Sequence, residues 1–199
     1  MILEIVKYGH PVLRQKGARV EKIDAGIKQL IADMLETVTA ARGVGLAAQQ
    51  VGRALQLTVL DVRGVTDRPS TLRRAGKDED VNAAMPLVLI NPEVTPIGDS
   101  VPGPEGCLSF PELFADIARP ELADVQAMNE KWERIEFRCG GLLSRAIQHE
   151  LDHLNGILFI DRMLRSEKDE LKPKLDELLA ETKAALKPPK DPAESAGRQ

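Results

Sequence analysis

With 199 residues, 43% of them hydrophobic, the chain is long enough to bury a sizeable core within one domain, and its composition is ordinary for a globular protein. A formal net charge of -4 argues against broad nucleic-acid binding, and no apolar run is long enough to span a bilayer. Met1 to Tyr8 lacks both the apolar core of a signal peptide and the Arg- and Ser-rich pattern of a transit peptide, so a cytoplasmic, reducing location is expected, with no membrane partner and no specific nucleic-acid recognition.

Along the chain, Asp24 is the expected N-cap of a helix running to about Arg42, because Ile27, Leu30, Ile31, Met34, Leu35 and Val38 recur at helical spacing. Directly after it comes Gly43-Val44-Gly45-Leu46-Ala47-Ala48-Gln49-Gln50. Two glycines one residue apart allow close backbone approach. A dinucleotide fingerprint is excluded, since the third glycine is absent and the segment follows a helix instead of a strand. The better use is a rigid extended edge, along which Gly43, Val44 and Gly45 meet a peptide while the Gln50 amide is aimed at a developing oxyanion.

Strands are expected over 57–62, 87–91, 122–128 and 133–138. Between the first two, 63–85 is polar and charged without a clean period and reads as a long exposed loop. The two cysteines sit in different settings. Cys139 ends an alternating run and precedes Gly140-Gly141, as a structural strand-end thiol would, whereas Cys107 lies in Glu105-Gly106-Cys107-Leu108-Ser109, where a glycine permits close approach to another group.

The next element carries the sharpest chemical signal, Gln148-His149-Glu150-Leu151-Asp152-His153. Residues four apart share a helix face, so both imidazoles of an H-E-x-x-H helix can reach one metal ion, and the intervening Glu150 can act as general acid/base on a water there. At about 100° per residue, Leu142 and Ala146 extend the histidine face as an apolar strip, while Leu143, Ile147, Leu151 and Leu154 form a core-facing stripe. Glu150 falls between the two, and Asn155-Gly156 supplies the stop. Cys107 is the better cysteine for a third ligand. Arg145 borders the apolar strip, either roofing a pocket with its stem while its guanidinium stays wet or lying plainly on the surface. Asp152 either orients a ligand histidine or faces solvent.

A last helix is expected over 166–186, with Leu171, Leu175, Leu178 and Leu179 on its apolar side, followed by a Pro-rich, charged tail at 188–199 that should be disordered. The fold class is α+β: mixed or antiparallel strands around a central helix carrying the metal motif, with an N-terminal and a C-terminal helix. Residues 1–187 form a single metallohydrolase domain in this reading.

Together, Gly43 to Gln50, Glu105 to Ser109 and Gln148 to His153 resemble, in order and approximate spacing, the three signature motifs of the peptide deformylase family, and Lys7 to Arg14 resembles its opening segment. The resemblance implies Cys107, His149 and His153 as metal ligands, Glu150 as the acid/base, and Gln50 with the Leu108 N–H as the oxyanion site. It further implies attack by a metal-activated hydroxide on the formyl group of N-formylmethionyl nascent peptides, releasing formate. One divalent ion is expected, Fe(II) in the cell, with Ni, Co or Zn replacing it on purification. Ribosome association of the C-terminal helix is left open. Leu142 and Ala146 are expected to floor the pocket for the methionine side chain, and Phe114 stands where one branch of the family places an Arg that meets the substrate backbone.

Other classes fit less well. An H-E-x-x-H endopeptidase draws its third ligand from a later Glu or His, and no His follows His153. A structural zinc module would close the fourth coordination position, for which Cys139 is the spare soft ligand.

Overall fold

The structure is a computed structural model and describes residues 1–187. The tail expected to be disordered, 188–199, lies outside the described residues. Helix α1 spans Ala25–Ala40, and the Asp24 carboxylate accepts from the Ile27 N–H at 2.9 Å, the predicted cap. Its Ile31, Met34 and Val38 face the sheet, where they pack with Leu57, Val59, Val88 and Ile90.

The strands are β1 (Gly45–Ala47), β2 (Leu57–Leu60), β3 (Ser70–Arg74), β4 (Lys77–Glu79), β5 (Leu87–Cys107), β6 (Phe110–Met128) and β7 (Arg134–Gly140). They form one sheet in the order β1-β2-β5-β6-β7-β3-β4, antiparallel at every junction. The expected exposed loop at 63–85 is therefore corrected in part. Arg63 and its neighbours are loop, but β3 and β4 form a hairpin whose Leu72 is buried and pairs with Cys139 on β7. A five-residue strand beside a charged turn carries too short a period to stand out in sequence.

The larger surprise is the length of β5 and β6. Residues 92–104 contain four prolines and read as irregular, yet they pair with β6 almost continuously, broken by irregularities between Ile90 and Glu93, Ile97 and Ser100, and Gly106 and Cys107. Proline lacks a donor, so it is tolerated in a ladder at bulges and at positions whose N–H points outward. The two strands close at Leu108 and Ser109, which form the turn and leave Cys107 paired with Phe110.

Helix α2 spans Gly141–Leu154 and lies against the sheet, with Asn155 as its C-cap and Gly156 at a φ of 73° ending it as expected. Its start needs glycine: Gly141 has a φ of 63°, and a Cβ there would sit 2.0 Å from the Pro69 carbonyl oxygen. Helix α3 spans Arg165–Ala185 and buries Leu175 in a third cluster with Phe110, Phe159 and Ile117. No helix among the described residues is long and apolar enough to cross a membrane.

Candidate metal centre and active site

Two elements build the centre. The α2 helix presents His149 and His153 from successive turns, and the end of β5 brings Cys107 against them, so that the three ligand atoms lie within 4.8 Å of one another. Cys107 Sγ and His153 Nε2 are 3.2 Å apart. The rings of His149 and His153 meet edge to face with centroids 5.0 Å apart, which leaves their nitrogens converging instead of stacked. A thiolate and two imidazoles suit a borderline divalent ion, and three protein ligands leave a fourth position for water or substrate. The three donor atoms already converge, so the donor set fits a metal.

The second layer of groups is where sequence reading fell short. His149 Nδ1 donates to Glu105 Oε2 at 3.0 Å, which fixes the ring and directs Nε2 towards Cys107 and His153. Glu105 is itself clasped by Arg119, whose Nε and Nη2 donate to its two oxygens, the latter at 2.9 Å, while Nη1 reaches Asp152 Oδ2 at 2.9 Å. Asp152 also accepts from Arg162. Both expectations for Asp152 are thus corrected. It neither orients a histidine nor faces solvent; it is buried and joins two arginines. The orienting carboxylate is Glu105, two residues before Cys107, whose place as the first residue of the Glu105 to Ser109 motif is the one available signal.

The electrostatics follow from burial and these partners. Burial alone would raise Glu105, but the His149 and Arg119 hydrogen bonds and the Arg119 charge hold it at about 2. Glu150 has no cation in direct contact, so burial dominates and lifts it to about 7. His153 is pushed well below the usual imidazole range by burial, while His149 goes the other way because Cys107 and Glu105 outweigh burial. Glu150 Oε2 and His153 Nδ1 are buried without a partner among the described residues. An unpaired buried carboxylate oxygen is expensive in a core and useful in a site that moves protons.

A cavity of about 460 Å³ opens beside these groups. Gly43, Val44 and Gly45 form one wall, Leu142 and Ala146 with the Arg145 stem another, and Phe114 stands at the mouth, 68% exposed. Gly45 starts the edge strand β1, which pairs on one side only, with β2. A Cβ at Gly45 would lie 2.4 Å from Glu150 Oε1, so glycine lets the backbone edge and the acid/base share one wall. Gln50 is buried and locked, its Oε1 accepting from the Ala47 N–H at 2.8 Å, while its Nε2 makes only long contacts, 3.5 Å to Cys107 Sγ and 3.4 Å to Ser109 Oγ. Leu108 lines the same cavity from the β5–β6 turn.

Arg145 requires correction. Its stem lines the cavity as expected, but the guanidinium is only partly exposed and is tied down, donating to the carbonyls of Ile117 at 2.6 Å and Val101 at 2.8 Å and to Glu105 Oε1 at 3.0 Å. The bent β5–β6 hairpin supplies these acceptors, and its extent could not be read from a Pro-rich segment. Cys139, by contrast, is buried in the apolar cluster with Leu142, Leu143 and Ile147 of α2, and burial pushes its thiol up to about 12.

Comparison with known proteins follows the same geometry. The family model described as "Polypeptide deformylase" matches residues 2–169. A peptide deformylase of Opitutus terrae is 42% identical over 189 residues, covering 94% of this chain and 98% of that protein. One from Methylacidiphilum infernorum is 44% identical over 178 residues, covering 89% and 93%. Among solved structures, a plant peptide deformylase superimposes with a TM-score of 0.80 at 34% identity, covering 94% of each chain.

Proposed function

We propose that this chain, which belongs to the polypeptide deformylase family, removes the formyl group from the N-terminal formylmethionine of newly made polypeptides and releases formate. The observation that carries the reading is the convergence of Cys107, His149 and His153 beside a buried, partnerless Glu150 oxygen on one cavity wall. Cys107, His149 and His153 would hold one divalent ion, which supplies Lewis-acid activation of water and of the formyl carbonyl when bound. Fe(II) is the ion we assign to the cell on the family resemblance, and a thiolate with two imidazoles is equally compatible with Ni, Co or Zn.

The chain's own residues do the rest. Glu150 takes a proton from the attacking water and returns it to the departing amine; burial raises its carboxyl above the ordinary range, which favours a group that serves as base and then acid. Gln50 Nε2, which spends little of its donor capacity elsewhere, and the Leu108 N–H donate to the oxygen that gains charge as the formyl carbon becomes tetrahedral. The one-sided β1 edge through Gly45 receives the peptide backbone as an added strand. Leu142 and Ala146 meet the methionine side chain, and Phe114 flanks the residues that follow.

In this reading, residues 1–187 act as one catalytic domain in the cytoplasm, and α3 leaves an outer face through which the enzyme can associate with ribosomes that deliver its substrates. One assay tests the core of it: formate release from formyl-Met-Ala-Ser, with metal content measured on the same sample. A metal-loaded protein that releases no formate would remove deformylation as its activity.

A further inference from the structure

The N-terminal segment passes directly behind the cavity, and its alternation is informative. Val6 and Tyr8 pack into the third apolar cluster, with the Tyr8 ring stacked on Phe110 at 4.9 Å, while Lys7 points the other way and lines the cavity. The backbone of Val6 and Tyr8 ties together two parts of the fold that otherwise meet through the long contacts of Gln50 Nε2 with Cys107 and Ser109. Val6 N–H donates to the Gln50 carbonyl at 2.9 Å, and Tyr8 N–H donates to the Ser109 carbonyl at 2.9 Å. Lys7 Nζ donates to the Leu108 carbonyl at 2.9 Å, across 101 positions of sequence.

These bonds bear on a distance. Two residues of extended chain span at most about 7 Å, so the Val6 and Tyr8 donors act as a ruler between the 3-10 turn that carries Gln50 and the turn that carries Leu108. Leu108 lies in a two-residue turn whose peptide planes can rotate only about φ and ψ. The Leu108 N–H lies in the plane before Leu108, next to Cys107, which pairs with Phe110. Lys7 holds the carbonyl of the plane after it, so the turn that carries the N–H is anchored on both sides. Keeping an ammonium here has a cost, since burial lowers the Lys7 pKa from its usual value, and its bond to a single carbonyl offsets part of that cost.

We infer that Lys7 is a positioning residue for deformylation: with the Val6 and Tyr8 backbone it splints Gln50 to Leu108 and so sets the geometry of the oxyanion donors. The inference rests on the proposed roles of Gln50 and the Leu108 N–H. It assigns the opening segment a catalytic consequence without contact between Lys7 and the reacting atoms. Donors that act on charge developed in the transition state lower the barrier without strengthening substrate binding, so the effect of losing the splint belongs in kcat and leaves KM alone.

The test compares Lys7→Met, Lys7→Arg and Gln50→Ala in the full-length, metal-loaded enzyme, with kcat and KM for formyl-Met-Ala-Ser, metal content and thermal midpoint measured for each. Lys7→Met should lose roughly ten- to a hundredfold in kcat, the scale of a small misplacement of catalytic groups, with KM, metal content and thermal midpoint near those of the parent. Lys7→Arg keeps a donor and should recover most of that loss. An unchanged kcat in Lys7→Met, a raised KM at unchanged kcat, or a fall explained by lost metal or lost stability would each overturn the inference. If Gln50→Ala keeps full kcat, the oxyanion assignment itself fails; if Gln50→Ala is impaired while Lys7→Met is not, the assignment survives and the splint does not.

Discussion

The two halves of α2 are equally buried and live in different surroundings. Leu142, Leu143, Ala146 and Ile147 sit in an apolar cluster with residues of β2, β5, β6 and β7. From the next residue on, Gln148, His149, Glu150, Asp152 and His153 are buried as well, but all are polar or charged. An apolar half-helix stabilises the fold by leaving water, at roughly 25 cal/mol per Å² removed, and any well-shaped neighbour will serve. A polar half-helix is tolerated only if specific partners replace water. Most of those partners come from the β5–β6 hairpin, which supplies Glu105, Cys107 and Arg119, with Arg162 added from beyond the helix. One half of the helix therefore holds the molecule together, and the other depends on being held; the chemistry is in the dependent half.

Removing a partner from the polar half should have the largest effect. Cys107→Ser replaces a thiolate by a poor ligand, and metal content and formate release should both collapse. Cys139→Ser is the control, because that thiol is buried at the apolar side and its pKa of about 12 keeps it protonated. It should keep metal and activity nearly intact. Equal behaviour of the two variants would break the contrast at its root. Next in size is Glu150→Gln, which preserves shape and metal but removes the base; a fall of about a hundredfold or more in turnover is expected. Near-normal turnover with metal bound would take Glu150 out of the mechanism.

A stability measurement sharpens the same contrast. Arg119 bridges two buried carboxylates, Glu105 and Asp152, and Arg119→Met would leave both without their shared cation. Breaking a buried pair in this way typically costs about 3–5 kcal/mol, readable by urea denaturation. Lysine should not restore it, since a single ammonium cannot reproduce the forked contact with Glu105. The acid limb of the stability curve gives a second readout. Glu105 is held at about 2, below its ordinary 4.5, so its contribution is present above about pH 4.5 and is lost as pH falls towards 2. The parent protein should lose stability more steeply than Arg119→Met across that window. Parallel curves would show that the clasp contributes nothing.

The same division explains what could be read from sequence. Periodicity reports burial of apolar faces, so α1, the apolar half of α2 and the core strands are legible, and the His149, Glu150 and His153 spacing announces itself on a helix. The supports of the polar half leave no periodic trace. Arg119 lies among charged and proline residues on a strand whose length was itself hidden, Arg162 follows α2 by eight positions past its end, and Arg145 finds its acceptors only because β5 and β6 bend over it. Asp152 was read by helix position alone, which says where a side chain starts and nothing about what meets it. Partners that are 14 to 44 residues apart, such as Glu105 with Arg119 and His149, are fixed by topology, which a linear reading does not contain.

The smallest effect should come from the apolar half, and it should be selective. Leu142 and Ala146 line the cavity on the same face as His149, so a side chain bound there lies against carbon beside the metal centre, and an unbranched thioether fits a narrow slot with Ala at its floor. Ala146→Phe fills that slot without replacing a ligand or Glu150. The metal should stay bound, and formyl-Ala-Ala-Ser should be cleaved nearly as before, since its methyl group never reaches the floor. Formyl-Met-Ala-Ser should suffer by about 1–3 kcal/mol, the usual scale for misfitting one apolar side chain, which shifts the Met/Ala ratio of kcat/KM by roughly ten- to two-hundredfold. Equal slowing of both substrates would mean that this helix face is only core, and specificity would then have to lie with Gly43 to Gly45 or with the exposed ring of Phe114 at the mouth.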